Sequence, residues 1–235
     1  MKLSRILTGH LFCLTLLTCG SALVSASDAP YTLPKLPYPM AALEPVISAE
    51  SLALHHDETH NSYLHTLNRE VANDPKLEGI TLSALLAHAS TYNAAVNSSA
   101  GGHYNHSFFW TIMAPVGTGG EPSPALRARL VKDFGSTENM QSAFEAAGNA
   151  NKGSGWVWLV WTGKKLVVST TANESNPLMD DAEIQGSPIL ANDLWEHAYF
   201  PKFQNHRADY LHAWWTIVNW KEANSRFAEA ATGPN

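Results

Sequence analysis

Gly153-Ser154-Gly155-Trp156-Val157-Trp158-Leu159-Val160-Trp161, then Thr162-Gly163-Lys164, then Lys165-Leu166-Val167-Val168-Ser169-Thr170, is the stretch that decides the fold. Two runs rich in β-branched and aromatic residues flank a short turn containing a glycine, which is the pattern of a hairpin. Ile189 to Leu194 offers a third strand downstream. Outward from the hairpin the pattern turns helical. Ala125 to Ala147 reads as helix with a break at Gly135, and Tyr210 to Phe227 reads as one closing helix rich in aromatics. A small antiparallel sheet of about three strands in a mixed half, preceded by a helical half, gives the fold class α+β.

The two halves join at residues 114–124, where Pro115, Gly117, Gly119, Gly120, Pro122 and Pro124 mark a linker. Before it, Ser48 is placed to cap a long helix that carries Glu50 in its first turn and runs unbroken to about Val71. A second helix starts near Thr81 or Ser83 and passes through Leu85, Leu86 and His88. A third covers Ala94 to Met113, so the first half is expected to be a long-helix hairpin. Gly101-Gly102 inside this third helix costs about 1 kcal/mol per glycine relative to alanine. Some other group is therefore expected to approach closely there. Pro30, Pro34, Pro37, Pro39 and Pro45 make residues 27–45 an extended arm.

The first residues have the layout of a secretory leader: Lys2 and Arg5, then an uncharged, largely apolar run to about Val24, then Val24-Ser25-Ala26 as a cleavage site. The expected division is a signal peptide at 1–26, a helical domain at 27–114 and a mixed domain at 115–235, with the mature chain periplasmic or secreted. Leu16-Leu17-Thr18-Cys19 resembles a lipoprotein attachment motif, but Thr18 stands where that motif prefers a smaller residue, so simple cleavage is the expectation. Both cysteines, Cys13 and Cys19, precede the cut, which leaves no thiol to ligate a metal or act as a nucleophile. Loss of Lys2 and Arg5 takes the formal charge from −6 to −8. That balance argues against nucleic acid as a partner, and no membrane association is expected after cleavage.

His55 lies on the first long helix and His106 on the third, while Asp193 and His197 stand four apart near the end of the last strand. Three imidazoles and a carboxylate suit Mn, Fe or Zn better than Ca. Taken singly, a histidine in a chain with eleven is more often packed or solvated than a ligand. The strings around these four are more specific. Leu36-Pro37-Tyr38 with Leu43-Glu44-Pro45-Val46-Ile47-Ser48, Gly101-Gly102-His103-Tyr104-Asn105-His106-Ser107-Phe108-Phe109-Trp110, Gly153 to Val160, and Asp193-Leu194-Trp195-Glu196-His197-Ala198-Tyr199 together resemble, in order, the iron/manganese superoxide dismutase family.

That resemblance implies one Mn or Fe ion per subunit, Mn slightly favoured and use of either ion left open, held by His55, His106, Asp193 and His197 with one water or hydroxide. It implies superoxide as the substrate and one-electron cycling as the chemistry. Trp110, Trp156 and Trp195 would wall the pocket. Tyr63, eight residues after His55 and on the same helix face, matches a tyrosine that guards entry and takes part in proton delivery. Glu196 matches a residue that reaches His197 of a partner, which implies a homodimer or tetramer.

The chain also departs from the family. Thr59 replaces a histidine and Phe200 the tyrosine that bonds it across the interface, so both ends of one hydrogen bond are missing together, which predicts a slower proton relay and an intact dimer. Gly102 excludes the glutamine usual in iron-type members, and Glu174, in Thr171-Ala172-Asn173-Glu174, stands where manganese-type members supply theirs. Glu174 is expected to act in the site either ionised or as a protonated donor, the alternative being that it turns outward. Glu58 replaces a lysine at the entrance, and Arg207 matches a funnel arginine. A catalytically weak relative that binds metal or a partner is the alternative function. A Zn hydrolase is disfavoured because no general base stands beside the ligands. His56, His60, His65, His88, His103, His206 and His212 are read as structural or surface groups.

Overall fold

A computed structural model describes residues 30–233. The predicted leader and both cysteines lie outside the described residues. Ser48 caps the first helix as expected, its hydroxyl accepting from Ser51 N at 3.1 Å. The helix runs as Ala49–Ala53, a π-wound stretch Leu54–His60, and Asn61–Asn73, together α1. Thr81 caps the short α2, Leu82–Ala87, and Asn93 caps α3, Ala94–Thr111. Helices α1 and α3 lie against each other as the predicted hairpin. Leu67 and Val71, one turn apart on α1, close on Leu85, Leu86, Val96 and Ala100 in a core of their own.

In the second half, Ser123 caps α4, Pro124–Phe134, and Ser136 caps α5, Thr137–Ala150. Gly135 between them has φ +89°, a conformation that glycine adopts without strain. The sheet holds β1, Gly155–Trp161, at its centre, between β2, Leu166–Ala172, and β3, Ser187–Asp193, all antiparallel. β1 is buried from Trp156 to Val160, which is why it reads as a continuous apolar run instead of an alternating one. In the β1–β3 register Trp156 stands opposite Asp193, and Trp161 pairs with Leu166 across the turn. Three more helices follow: α6, Glu196–Phe203; α7, Arg207–Trp214; and α8, Trp220–Thr232. Within the main core the Phe144 and Trp214 rings stack at 5.7 Å.

The single closing helix expected over Tyr210 to Phe227 is in fact α7 and α8. The chain between them spends its backbone groups on the end of α3 instead of on its own helix. Ala114 N donates to Ile217 O at 2.8 Å, and Asn219 N donates to Ile112 O at 2.7 Å. Asn219 then caps α8 through Glu222 N and donates from Nδ2 to Thr111 O at 2.9 Å. No glycine or proline marks this break in the sequence, and Pro201 within α6 argues locally against a helix that does form.

Asn219 thus clasps the two halves together. Asn219→Ala is expected to cost about 1–2 kcal/mol through the lost cap and the orphaned Thr111 carbonyl. An unchanged urea midpoint would show that the clasp contributes nothing.

Candidate metal centre

The helical hairpin brings two histidines to one point. The π-wound stretch of α1 carries an extra residue per turn, which re-aims side chains, and it buries His55, His56 and His60 alike. His106 comes from α3, where its Nδ1 donates to Gly102 O at 2.7 Å and so turns Nε2 into the pocket. The glycine pair has the close neighbours its cost demanded. A Cβ at Gly102 would meet the Tyr63 ring at 2.5 Å, and one at Gly101 would overlap the Glu174 carbonyl oxygen.

The mixed half supplies the other two donors. Asp193 is the last residue of β3, and its Oδ1 accepts from Trp195 N at 2.8 Å, which leaves Oδ2 for the pocket. Oδ2 lies 3.1 Å from His55 Nε2, 3.1 Å from His197 Nε2 and 3.8 Å from His106 Nε2. One donor atom from each of the four residues falls within 4.8 Å of the others. His55 Nε2 and His106 Nε2 are buried and make no well-directed hydrogen bond. Stranded, converging polar atoms of this kind are costly unless a cation fills the space between them.

The electrostatics agree. Burial, followed by the neighbouring imidazoles, keeps His55 below its ordinary value and holds His106 down at about 3, so both offer lone pairs at neutral pH. Burial pushes Asp193 upward, but His197 and His55 outweigh it and hold the carboxyl below the usual range. Three neutral-capable nitrogens and one anion fit Mn or Fe. Trp110 and Trp156 are fully buried walls, edge-on to His55 at 4.9 Å and to His106 at 5.2 Å. Trp195 lies flatter against His197 at 5.7 Å and is only partly buried.

The remaining sequence candidates are placed as follows. Tyr63 is half-buried, its ring 5.5 Å from His106, and burial followed by Glu174 pushes its hydroxyl well above the ordinary range. Glu174 is 2 % exposed, so the outward-turned alternative does not hold. Its Oε2 accepts from Trp156 Nε1 at 3.0 Å and Asn105 Nδ2 at 3.2 Å, and Asn105 is held in turn by Asn176 Nδ2 at 3.0 Å. Oε1 has no well-directed partner, although Tyr63 stands close enough to influence the carboxyl. Burial, then Asp193, pushes Glu174 up to about 8.

Arg207 is half-buried and lines an open pocket with Trp195, Glu196 and His197. Its guanidinium donates to the carbonyls of Gly148, Asn151, Gly153 and Leu194 and to the Tyr199 hydroxyl, which ties the end of α5 to the residue after Asp193. Glu58 and Phe200 are exposed, and Thr59 is partly so. Of the other histidines, His65, His88, His206 and His212 are exposed, whereas His56, His60 and His103 are buried and hydrogen-bonded. The Asn105–Asn176 pair and the His60–His103 pair carry no signal in the sequence beyond their neighbourhood to His106.

Two family models match the chain: the alpha-hairpin domain of iron/manganese superoxide dismutases over residues 30–114, and the C-terminal domain of the same proteins over 122–226. The chain is 42% identical over 218 residues to a superoxide dismutase [Mn] of Acinetobacter baylyi, covering 92% of this chain and 96% of that protein. It is 41% identical over 204 residues to a superoxide dismutase [Mn] of Listeria monocytogenes, covering 85% and 98%. The same name belongs to a Salmonella typhimurium protein, 41% identical over 204 residues, covering 84% and 98%.

Glu174 generates a test that needs no metal. A carboxyl that keeps its proton to about pH 8 when folded, against an ordinary value of 4.5, binds more protons folded than unfolded between those limits. Its contribution to stability therefore falls as pH rises through that window. Metal-free Glu174→Gln is expected to be more stable than metal-free wild type by a margin that grows from pH 5 to pH 8, reaching a few kcal/mol on the scale of about 1.4 per unit. Paired urea melts at the two pH values check this, and a margin that does not change with pH refutes it.

Proposed function

The chain belongs to the iron/manganese superoxide dismutase family, and on that premise we infer how its own residues carry out the reaction, where it acts and how it assembles. It is a superoxide dismutase, an oxidoreductase that uses one Mn or Fe ion per subunit. The observation that carries this is the convergence of His55, His106, Asp193 and His197 on one buried point. When bound, the ion supplies a one-electron couple: one superoxide gives up an electron to leave oxygen, and a second takes that electron with two protons to leave hydrogen peroxide. The catalytically weak alternative is not favoured, since all four donors and the walls around them are in place.

Each residue has a task that follows from its position. Trp110 and Trp156 exclude bulk water, which strengthens every polar interaction inside the pocket. Asp193 supplies the single negative charge. Tyr63, half-buried at the rim, keeps its proton on Oη at neutral pH and holds it where the pocket meets solvent. Glu174 holds the Trp156 indole and the Asn105 amide through Oε2, and so fixes the wall beside His106. Gly102 leaves no room for a side chain against Tyr63, so position 174 is the one that supplies a polar group here. This arrangement, together with relatives named for manganese, supports Mn over Fe.

The surface supports a second copy as partner. The His197 side chain is 27 % exposed while the other three ligands are at most 3 % exposed, and among the described residues nothing bonds its Nδ1. A metal-binding histidine ordinarily donates its other N–H to a carboxylate or carbonyl. Glu196 is exposed one residue away, Phe200 just beyond it in the chain is a large exposed apolar group, and so is Leu54, which adjoins the ligand His55. Glu196 of a second copy meets the need of His197 in a homodimer. The leader-like residues 1–26 support export to the periplasm or beyond, and no described helix is long and apolar enough to cross a membrane. Mass analysis of the protein from the periplasmic or culture fraction tests the cut, with an N-terminus at Ser27 expected.

Two outcomes follow. Glu196→Ala is expected to shift the protein toward monomer in analytical ultracentrifugation and to lower retained metal by about tenfold or more; a stable, fully loaded oligomer would exclude the bridge. With Glu58 exposed next to the exposed Asp57, kcat/KM is expected to stay flat or rise as salt is added. A steep fall would show that attractive steering operates after all.

A further inference from the structure

Beside the four donors runs a second line of buried rings. The Trp110 indole N–H points at His60 Nδ1, 2.9 Å away. His60 Nε2 stands 2.9 Å from His103 Nδ1, and both rings are buried. An indole nitrogen can only donate. His60 Nδ1 must therefore accept, and a neutral His60 carries its one proton on Nε2. That proton is given to His103 Nδ1, so a neutral His103 carries its own on Nε2. One group that cannot change its role thus fixes the tautomers along the whole line. An imidazole that accepts a hydrogen bond on one ring nitrogen is neutral, so both rings are neutral by their bonds alone. Ser107 Oγ, bonded to His103 O at 2.7 Å and 3.4 Å from His60 Nε2, steadies the join.

The line lies against the metal ligands. The His60 ring is stacked on the His106 ring, with centroids 5.4 Å apart and planes 22° apart. Trp110 stands edge-on to His55 at 4.9 Å. His106 has a hydrogen bond from its other ring nitrogen to Gly102, but among the described residues His55 has none, so packing sets its rotation. We propose that His60 and His103 are positioning residues for the metal centre: together with Trp110 they form a tautomer-locked brace that holds the rings of His55 and His106 at the angle the ion requires. This rests on the superoxide dismutase reading for the presence of the ion, though the brace itself exists without it.

The brace is read first in the metal-free full-length protein, by long-range proton–nitrogen NMR of nitrogen-15-labelled histidine. Single Nε2–H tautomers are expected for both His60 and His103. A proton on His60 Nδ1, or a mixture at either ring, overturns the proposal. The second measurement is release of Mn from loaded protein into excess chelator. His103→Leu removes the acceptor and is expected to release metal at least about tenfold faster, the range typical of groups that orient a ligand. His103→Asn, whose Oδ1 stands where Nδ1 stood, is expected to restore retention to within about twofold of wild type. Wild-type release from His103→Leu, or no rescue by His103→Asn, overturns the positioning role. Should His103→Leu fail to fold, Trp110→Phe takes its place: a mixed His60 tautomer with faster release supports the brace, and an unaltered His60 spectrum overturns it. A wild type that retains neither Mn nor Fe would overturn the functional reading and the positioning role with it, whereas a wrong tautomer in a metal-loaded wild type would overturn this proposal alone.

Discussion

The constraint on which the structure depends is the convergence of four donor atoms, two from each half of the chain, on one point between them. Asp193 Oδ2 is the hub, within 3.1 Å of two of the imidazole nitrogens and 3.8 Å of the third. Crowding unpaired lone pairs in this way is unfavourable on its own. The surrounding sequence is therefore best understood as what it takes to hold that arrangement in place until an ion makes it favourable.

Much of the local chemistry serves that end. The β1–β3 register sets Trp156 opposite Asp193, so one strand supplies the wall and its neighbour the anion. Trp156 is tied to Glu174, Glu174 to Asn105, and Asn105 sits one residue before His106, which closes a ring of contacts from the sheet back to α3. The glycine pair lets the ring close: without a Cβ at Gly101 and Gly102, the Glu174 carbonyl and Tyr63 can lie directly on the helix. Arg207, spent on the carbonyls around Leu194, holds the far side. Stiffness comes from packing and hydrogen bonds, since the described residues contain no cysteine.

What the sequence reveals and what it hides divide along physical lines. The hairpin is legible because Trp156 to Trp161 and Leu166 to Thr170 are strand-forming runs around a glycine turn. The caps at Ser48 and Thr81 are legible because a short hydroxyl side chain before an apolar run has few other uses. The close approach at Gly101-Gly102 is legible as a cost that needs a reason. Features imposed by distant partners are not. The π winding over Leu54–His60, the interruption between α7 and α8, and the His60–His103 pair all depend on what packs against them, and no local pattern announces that. Arg207 shows the same limit from the other side: the residue type is legible, but the carbonyls of Gly148, Asn151, Gly153 and Leu194 that its guanidinium holds are not.

Because each half contributes two donors, the bound ion is a bolt through the seam between them. Whatever pries the halves apart, be it heat, force or a partner wedged at the joint, weakens coordination before it unravels either half. The reverse also holds: a subunit that has lost its ion has lost the fastener that best resists opening. Metal loading and closure of the two halves are therefore one equilibrium seen from two ends.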